Sequence, residues 1–195
     1  MGRINPWKTS IALAVGLVAS AGAGVALAQG GVSANLALSG TLFDIAIGDV
    51  QGKDFNLFVD KENMGEDKKE EAVARLTFDT AKASDLCISA KVGNVPKIGP
   101  ITFTLKSPGQ NTVDAKHLVV GAKDLDADLA VDDVVLGADV HKANPAAPSG
   151  AWGLVTKSTS IQAEHITATS VSASKLSVKN LHADVKEGEH NECGG

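Results

Sequence analysis

The chain has no tyrosine, five phenylalanines and two tryptophans, so aromatics make up 4% of its 195 residues. A surface that stacks sugars needs several aromatic faces, and beyond Trp7, near the N-terminus, only Trp152 remains as a tryptophan to supply one. Arginine is scarce as well: Arg3 and Arg75 are the only two, and 23 acidic residues outweigh 18 basic ones for a net charge of −5. The basic footprint that a phosphate backbone requires is missing, and nucleic acid is not an expected partner. There is no Gly-rich phosphate loop, no Gly-x-Ser-x-Gly elbow and no HxH or HExxH spacing. Nucleotide use, an α/β-hydrolase fold and a local metal site therefore lack support, and neither a cofactor nor a metal is expected.

Charge is also absent from Thr9 to Ala28, and this gap is informative. It follows a basic start with Arg3 and Lys8 and ends in the small residues Ala26-Leu27-Ala28. That layout is a secretory signal, expected to form a helix over residues 1–28. Ala26 and Ala28 suit the narrow pockets of a signal peptidase, which would leave Gln29 as the new N-terminus. The alternative is an uncleaved anchor, because Ile11 to Leu27 approaches the roughly 20 residues that span a bilayer. Membrane contact is expected only through residues 9–28, and only if they are retained. Removing residues 1–28 takes away two basic residues and no acid, so the remainder carries 16 − 23 = −7.

The two cysteines, Cys87 and Cys193, both lie downstream of that segment. An even count in an exported protein predicts one disulfide, the alternative being two unpaired thiols. Two cysteines without CxxC spacing or a histidine cluster are no zinc signature.

Residues 29–195 read as a single extracellular β domain. Leu36 and Leu38, then Phe43, Ile45 and Ile47, alternate with polar or small residues around a Ser39-Gly40 turn. Strands are predicted again over 73–78 and over 101–106. Residues 61–71 carry eight charges in eleven positions and are expected to be an exposed loop. A second exposed loop is expected over 143–153, which holds Pro145, Pro148 and Trp152. Trp152 is read as the anchor of that loop on the core, or as a ligand platform.

The most informative pattern is a repeat. Ile161, Ala163, Ile166, Ala168, Val171, Ala173, Leu176, Val178, Leu181 and Ala183 form apolar pairs, spaced by two, recurring every five residues. A helix would scatter these positions around its cylinder. The same unit occurs at Ala81, Ala83, Leu86 and Ile88, at Val113, Ala115, Leu118 and Val120, and more loosely at Leu129, Val131, Val134 and Leu136. A step of two is a strand, and a step of three reverses the face unless a bulge or corner intervenes. The fold class is therefore all-β with repeated short strands, either solenoid-like or a long bulged sheet or sandwich.

Two further groups invite chemistry. Asp124, Asp126 and Asp128 resemble the start of a calcium loop, but Leu129 stands where glycine is needed and Val135 where a bidentate glutamate is needed. Period two explains them better, with the aspartates facing water and Leu125, Ala127 and Leu129 facing the core. His117 and His165 occupy one place in two repeat copies, which predicts a structural, outward-facing role.

Met-Gly-Arg with Trp7-Lys8, Gly24-Val-Ala-Leu-Ala-Gln29, Ser84-Asp85-Leu86-Cys87, Leu125-Asp126-Ala127-Asp128 and Asn191-Glu192-Cys193 together resemble an actinobacterial family of secreted or membrane-associated proteins of unknown function. Members of that family are sometimes labelled cholesterol esterase. The resemblance implies export and that label, brings no catalytic residues, and matches the Cys87–Cys193 pairing.

These readings lead to an exported cell-envelope or extracellular β-rich protein with a non-catalytic binding or structural role. Its partner would be an envelope component or a second copy. The alternative is lipid or sterol handling, by a groove lined with Ala163, Ala168 and Ala173 or by ester hydrolysis.

Overall fold

The structure is a computed structural model that describes residues 32–36, 42–64, 69–95, 98–188 and 193. The export segment 1–28, with its junction at Ala26, Ala28 and Gln29, lies outside the described residues. The all-β expectation holds. Nine strands form one antiparallel sheet: β1 Val32–Leu36, β2 Phe43–Met64, β3 Lys69–Ser84, β4 Leu86–Val95, β5 Gly99–Ser107, β6 Val113–Asp132, β7 Val135–Asp139, β8 Trp152–Val178 and β9 His182–Glu187. Of the two branches left open, the chain takes the long bulged sheet. The strands are not short, since β2, β6 and β8 run for 22, 20 and 27 residues, and their antiparallel pairing is not that of stacked solenoid coils.

β8 closes the sheet on itself. It pairs with β6 along one edge and with β2 along the other, while β2 pairs with β3 and β3 with β6. The inward faces of these four strands supply most of the core, including Phe43, Ile45, Phe55, Leu76, Ile161 and Ile166. Phe55 and Phe78 meet inside with ring centroids 4.8 Å apart. Ala163, Ala168 and Ala173 are all buried, with Ala163 and Ala168 packed in this core. Small residues there let strands approach closely.

The five-residue repeat now has a mechanism. In each unit a step of two is an ordinary strand, and the step of three contains a device that returns the chain to the same face. One device is a residue in the left-handed backbone region just before the third apolar position. Asp54, Asp85, His117, Asp133 and Asn180 occupy that place, with φ of 49°, 51°, 48°, 54° and 53°. Asp, Asn and His are the non-glycine residues that enter this region most readily. The other device is a β-bulge. Along β8, register shifts against β1, β2 or β6 fall within each of the steps 163–166, 168–171 and 173–176.

Two of these corners line up with the β5–β6 turn. Asp85 joins β3 to β4, Asn180 lies between β8 and β9, and residues 108–112 join β5 to β6. Ser107 Oγ donates to Lys179 O at 2.7 Å, and Lys179 N donates to Thr112 O at 2.8 Å. The strands β4, β5 and β9 thus leave the closed part as a unit. Cys87 on β4 is joined to Cys193 by a disulfide, 106 positions apart in sequence. Cys193 N also donates to Ser89 Oγ at 2.9 Å, which fixes the tail on β4.

Several local expectations need correction. Residues 61–71 are not a loop over their length: Lys61 to Met64 pair with Ala72 to Lys69 as the end of the β2–β3 hairpin, leaving residues 65–68 outside the described residues. Their charges sit on strand ends, as in the Lys61–Glu70 pair at 3.3 Å. Trp152 does not anchor the 143–153 segment, being 69% exposed at the start of β8. Val140 and Ala147 do so, buried against Phe58. Leu129 is also exposed, although Leu125 and Ala127 pack on the core as expected.

Candidate functional site

The outer face of β2 and β3 carries a groove. Asn56 and Thr77 are directly paired on these strands, with side chains turned away from the Phe55 side of β2. Residues 140–151 fold back over this face. A single 3₁₀ turn, Val140–Lys142, starts the segment, and His141 Nδ1 lies 2.7 Å from Ala147 O. Asn144 Oδ1 accepts from Ala146 N at 3.1 Å in an Asx-type turn. Gly153 allows this approach, because a Cβ there would collide with Leu57 O and Val140.

The result is a cavity of about 600 Å³ between β2, β3, the start of β6 and residues 143–146, within the range usual for small-molecule sites. Its apolar walls include Phe58, Leu118, Val119 and Pro145. Its titratable lining is three carboxylates, Asp54, Asp60 and Asp79, with Arg75 and His117. Arg75 Nε donates to Asp60 at 3.3 Å, its Nη1 lies 3.8 Å from Glu62, and it reaches Ser170 Oγ at 3.3 Å. Gly121 leaves room there, where a Cβ would meet Thr169, Glu62 and Ser170 within 2.8 Å.

Asn56 lines the groove and is 6% exposed. Its Nδ2 donates to Asp54 O at 3.3 Å and to Thr77 Oγ1 at 3.2 Å. Asn144 Nδ2 donates to the same Thr77 oxygen at 3.2 Å. The Asn56 amide oxygen is buried with no hydrogen-bond partner, alone in this among the described buried side-chain groups. An unmet buried acceptor costs about 1–3 kcal/mol.

At the edge of the groove stands a second constellation. His117 Nδ1 lies 2.8 Å from Ser174 Oγ, and His117 Nε2 lies 3.3 Å from Asp79 Oδ1. The order is that of a Ser–His–Asp chain. Ser174 Oγ also donates to Lys116 O at 3.0 Å, and the His117 and Asp79 side chains are 69% and 51% exposed. His165 makes a parallel contact, with Nε2 3.4 Å from Asp44. Both histidines thus meet an aspartate across the sheet, in line with their equivalent repeat positions.

The aspartates at 124, 126 and 128 are exposed as expected. Asp126 and Asp128 border an open depression of about 430 Å³ with Glu164 and Gly48. No group of three metal-ligating side chains is assembled among the described residues. Trp152 does not line the groove and sits against Gly137, whose φ is +74°.

A family model covers residues 39–194, a family of unknown function, DUF6230. The chain belongs to this family. No curated protein and no solved structure matches it. The DUF6230 match runs from just before β2 to beyond Cys193, so it takes in the groove, the corners and both cysteines.

Sequence reading did not find Asn56, Thr77, Asn144 or the Asp79–His117–Ser174 chain. One signal was available: Arg75 is the sole arginine after Arg3, set within the apolar strand 73–78.

Proposed function

We propose that this DUF6230 member is exported to the envelope of an actinobacterial cell and acts there as a non-catalytic binding protein, with the β2–β3 groove as its ligand site. The observation that carries this reading is a groove of about 600 Å³ that sets polar side chains, Asn56, Asp60, Arg75 and Thr77, beside apolar walls from Phe58, Leu118 and Pro145. The polar groups around it are mutually tied, Arg75 to Asp60 and His117 to Asp79, which suits recognition rather than turnover. The uncharged segment 9–28 and the Ala26, Ala28 and Gln29 junction support export, and the disulfide suits an oxidising compartment. The test is N-terminal sequencing of the protein made by its host, followed by binding of the protein to envelope preparations. Export predicts Gln29 as first residue. Ala146→Trp, which fills the groove from its exposed rim, should abolish envelope binding; undiminished binding by that variant would overturn the groove as the site.

A second reading, ester hydrolysis in line with the cholesterol esterase label, is favoured by one observation, the Ser174–His117–Asp79 chain. In it Ser174 Oγ would attack an ester carbonyl while His117 takes the hydroxyl proton and passes it to the leaving alkoxide, and a water deprotonated by His117 would then release the acid and restore the Ser174 hydroxyl. Labelling of Ser174 by a fluorophosphonate, with turnover of a short-chain ester lost in Ser174→Ala, would establish it. No labelling and no turnover would remove it.

A further inference from the structure

We propose that the open edge of β6, from Asp124 to Asp132, takes an added strand from a protein partner whose segment alternates lysine or arginine with apolar residues. This inference goes beyond the groove and does not depend on it. β6 is paired on both sides only in its first part: β3 runs beside it from Val113 to Ala122, and from Asp124 onward the described residues pair it with β8 alone. The other edge of this stretch, about 30 Å long, meets no strand among the described residues. Such an edge is a template for a further strand, and main-chain hydrogen bonds supply the affinity when one is added.

The two faces of the stretch select the occupant. Asp124, Asp126 and Asp128 are exposed on one face, while on the other Leu125 and Ala127 pack on the core and Leu129 carries the apolar row into solvent. No lysine, arginine or histidine occurs from Asp124 to Asp139. Side chains of an added strand stand opposite those of β6, where opposite charges stabilise the pair and like charges destabilise it. A second copy joined antiparallel through the same edge would set one aspartate row against the other, so self-pairing is disfavoured. A strand with basic residues at alternate positions meets that row with attraction, and its apolar positions fall beside Leu125, Ala127 and Leu129. Asp126 and Asp128 also border the open depression that Glu164 lines, which offers a long basic side chain lying across β6 a further carboxylate. A small cation would use none of the backbone groups of the edge, and an extended peptide uses both.

The experiment is titration of the full-length, disulfide-intact protein with a blocked peptide of alternating lysine and valine, its glutamate counterpart, and a peptide of the same lysine and valine content in two blocks. The alternating basic peptide should move the backbone NMR signals of residues 124–132 and bind about tenfold or more tightly than the other two. Amides of this stretch that point away from β8 should gain protection from hydrogen exchange, which charge attraction without strand pairing does not give. Asp126→Asn should cost about threefold in affinity, and Asp126→Asn with Asp128→Asn about tenfold. Asp114→Asn removes the same charge from the part of β6 already covered by β3 and should cost nothing. Melting temperatures of the variants should match that of the unaltered protein, since these side chains are exposed. Equal binding of the block peptide, shifts without exchange protection, or an equal loss in Asp114→Asn would overturn strand addition, and so would signals of 124–132 that stay in place. None of these results bears on the groove, which the Ala146→Trp envelope assay judges.

Discussion

Asp85 and Gly109 exchange hydrogen bonds: Asp85 N donates to Gly109 O at 3.1 Å, and Gly109 N donates to Asp85 Oδ1 at 2.7 Å. The pair joins the β3–β4 corner to the β5–β6 turn. Asp85 holds φ at 51° and Gly109 at 107°, so each place needs a residue that enters positive φ readily. Asp85→Val would place a β-branched residue in the left-handed region and remove the carboxylate. The expected loss is roughly 1–3 kcal/mol for the backbone. Asp85→Asn should retain most of the stability, because it fits the backbone and keeps an acceptor oxygen. Urea unfolding of the two variants separates these outcomes.

The disulfide closes a long loop, with Cys87 and Cys193 separated by 106 positions. Chain entropy assigns such a closure up to about 4–5 kcal/mol. Cys87→Ser with Cys193→Ser should therefore lower the melting temperature strongly. It should also free the tail from Ser89, which hydrogen exchange at the Cys193 position can follow.

Trp152 and Val140 exchange the roles that their chemistry suggests. Trp152 is 69% exposed and Val140 is fully buried against Phe58. Trp152→Ala is expected to change stability by less than about 0.5 kcal/mol, as for other exposed sites. Val140→Ala should cost more, with roughly 1.5–3 kcal/mol as the upper scale set by burial of a whole side chain. It should also disturb Asn144 and the groove. Thermal unfolding of the two variants decides which residue holds the 143–151 segment.

Deleting Ser172 converts the ordinary step of two from Val171 to Ala173 on β8 into a step of one. Every residue after it would change face, bringing Leu176 and Val178 out of the core against which they pack. Each exposed side chain forfeits on the order of 1.5–3 kcal/mol. Loss of the native dispersion in NMR signals of β1 and of the start of β6, both paired with this part of β8, is the expected result.

Much of the fold was legible because apolar periodicity survives the folding step. The pairs at 161/163, 166/168 and 173 lie buried, and the irregular step of three marks where a bulge or left-handed corner must stand. Asp54, Asp85, His117, Asp133 and Asn180 show that the corner has its own residue code, since polar residues able to take positive φ fill the place before the third apolar position. Closure was not legible, because nothing in the spacing says that β8 pairs with both β2 and β6. The groove was hidden for a related reason. Asn56 and Thr77 touch only because the β2–β3 hairpin sets them opposite each other, and Asn144 arrives from a segment whose tryptophan drew attention away from its asparagine. The charged run 61–71 misled because strand ends at a hairpin tip can be as polar as a loop.

The central claim is that binding occurs in the β2–β3 groove, beside residues 143–146. Chemical-shift mapping of the full-length protein titrated with an extract of its own cell envelope tests it most directly. The expected result is movement of the Asn56 and Asn144 side-chain amides and of the Thr77 backbone signal, with the Trp152 indole unmoved. Shifts centred on Trp152 and Leu136, which is 70% exposed on the neighbouring strand β7, would contradict the claim and place recognition on that apolar edge.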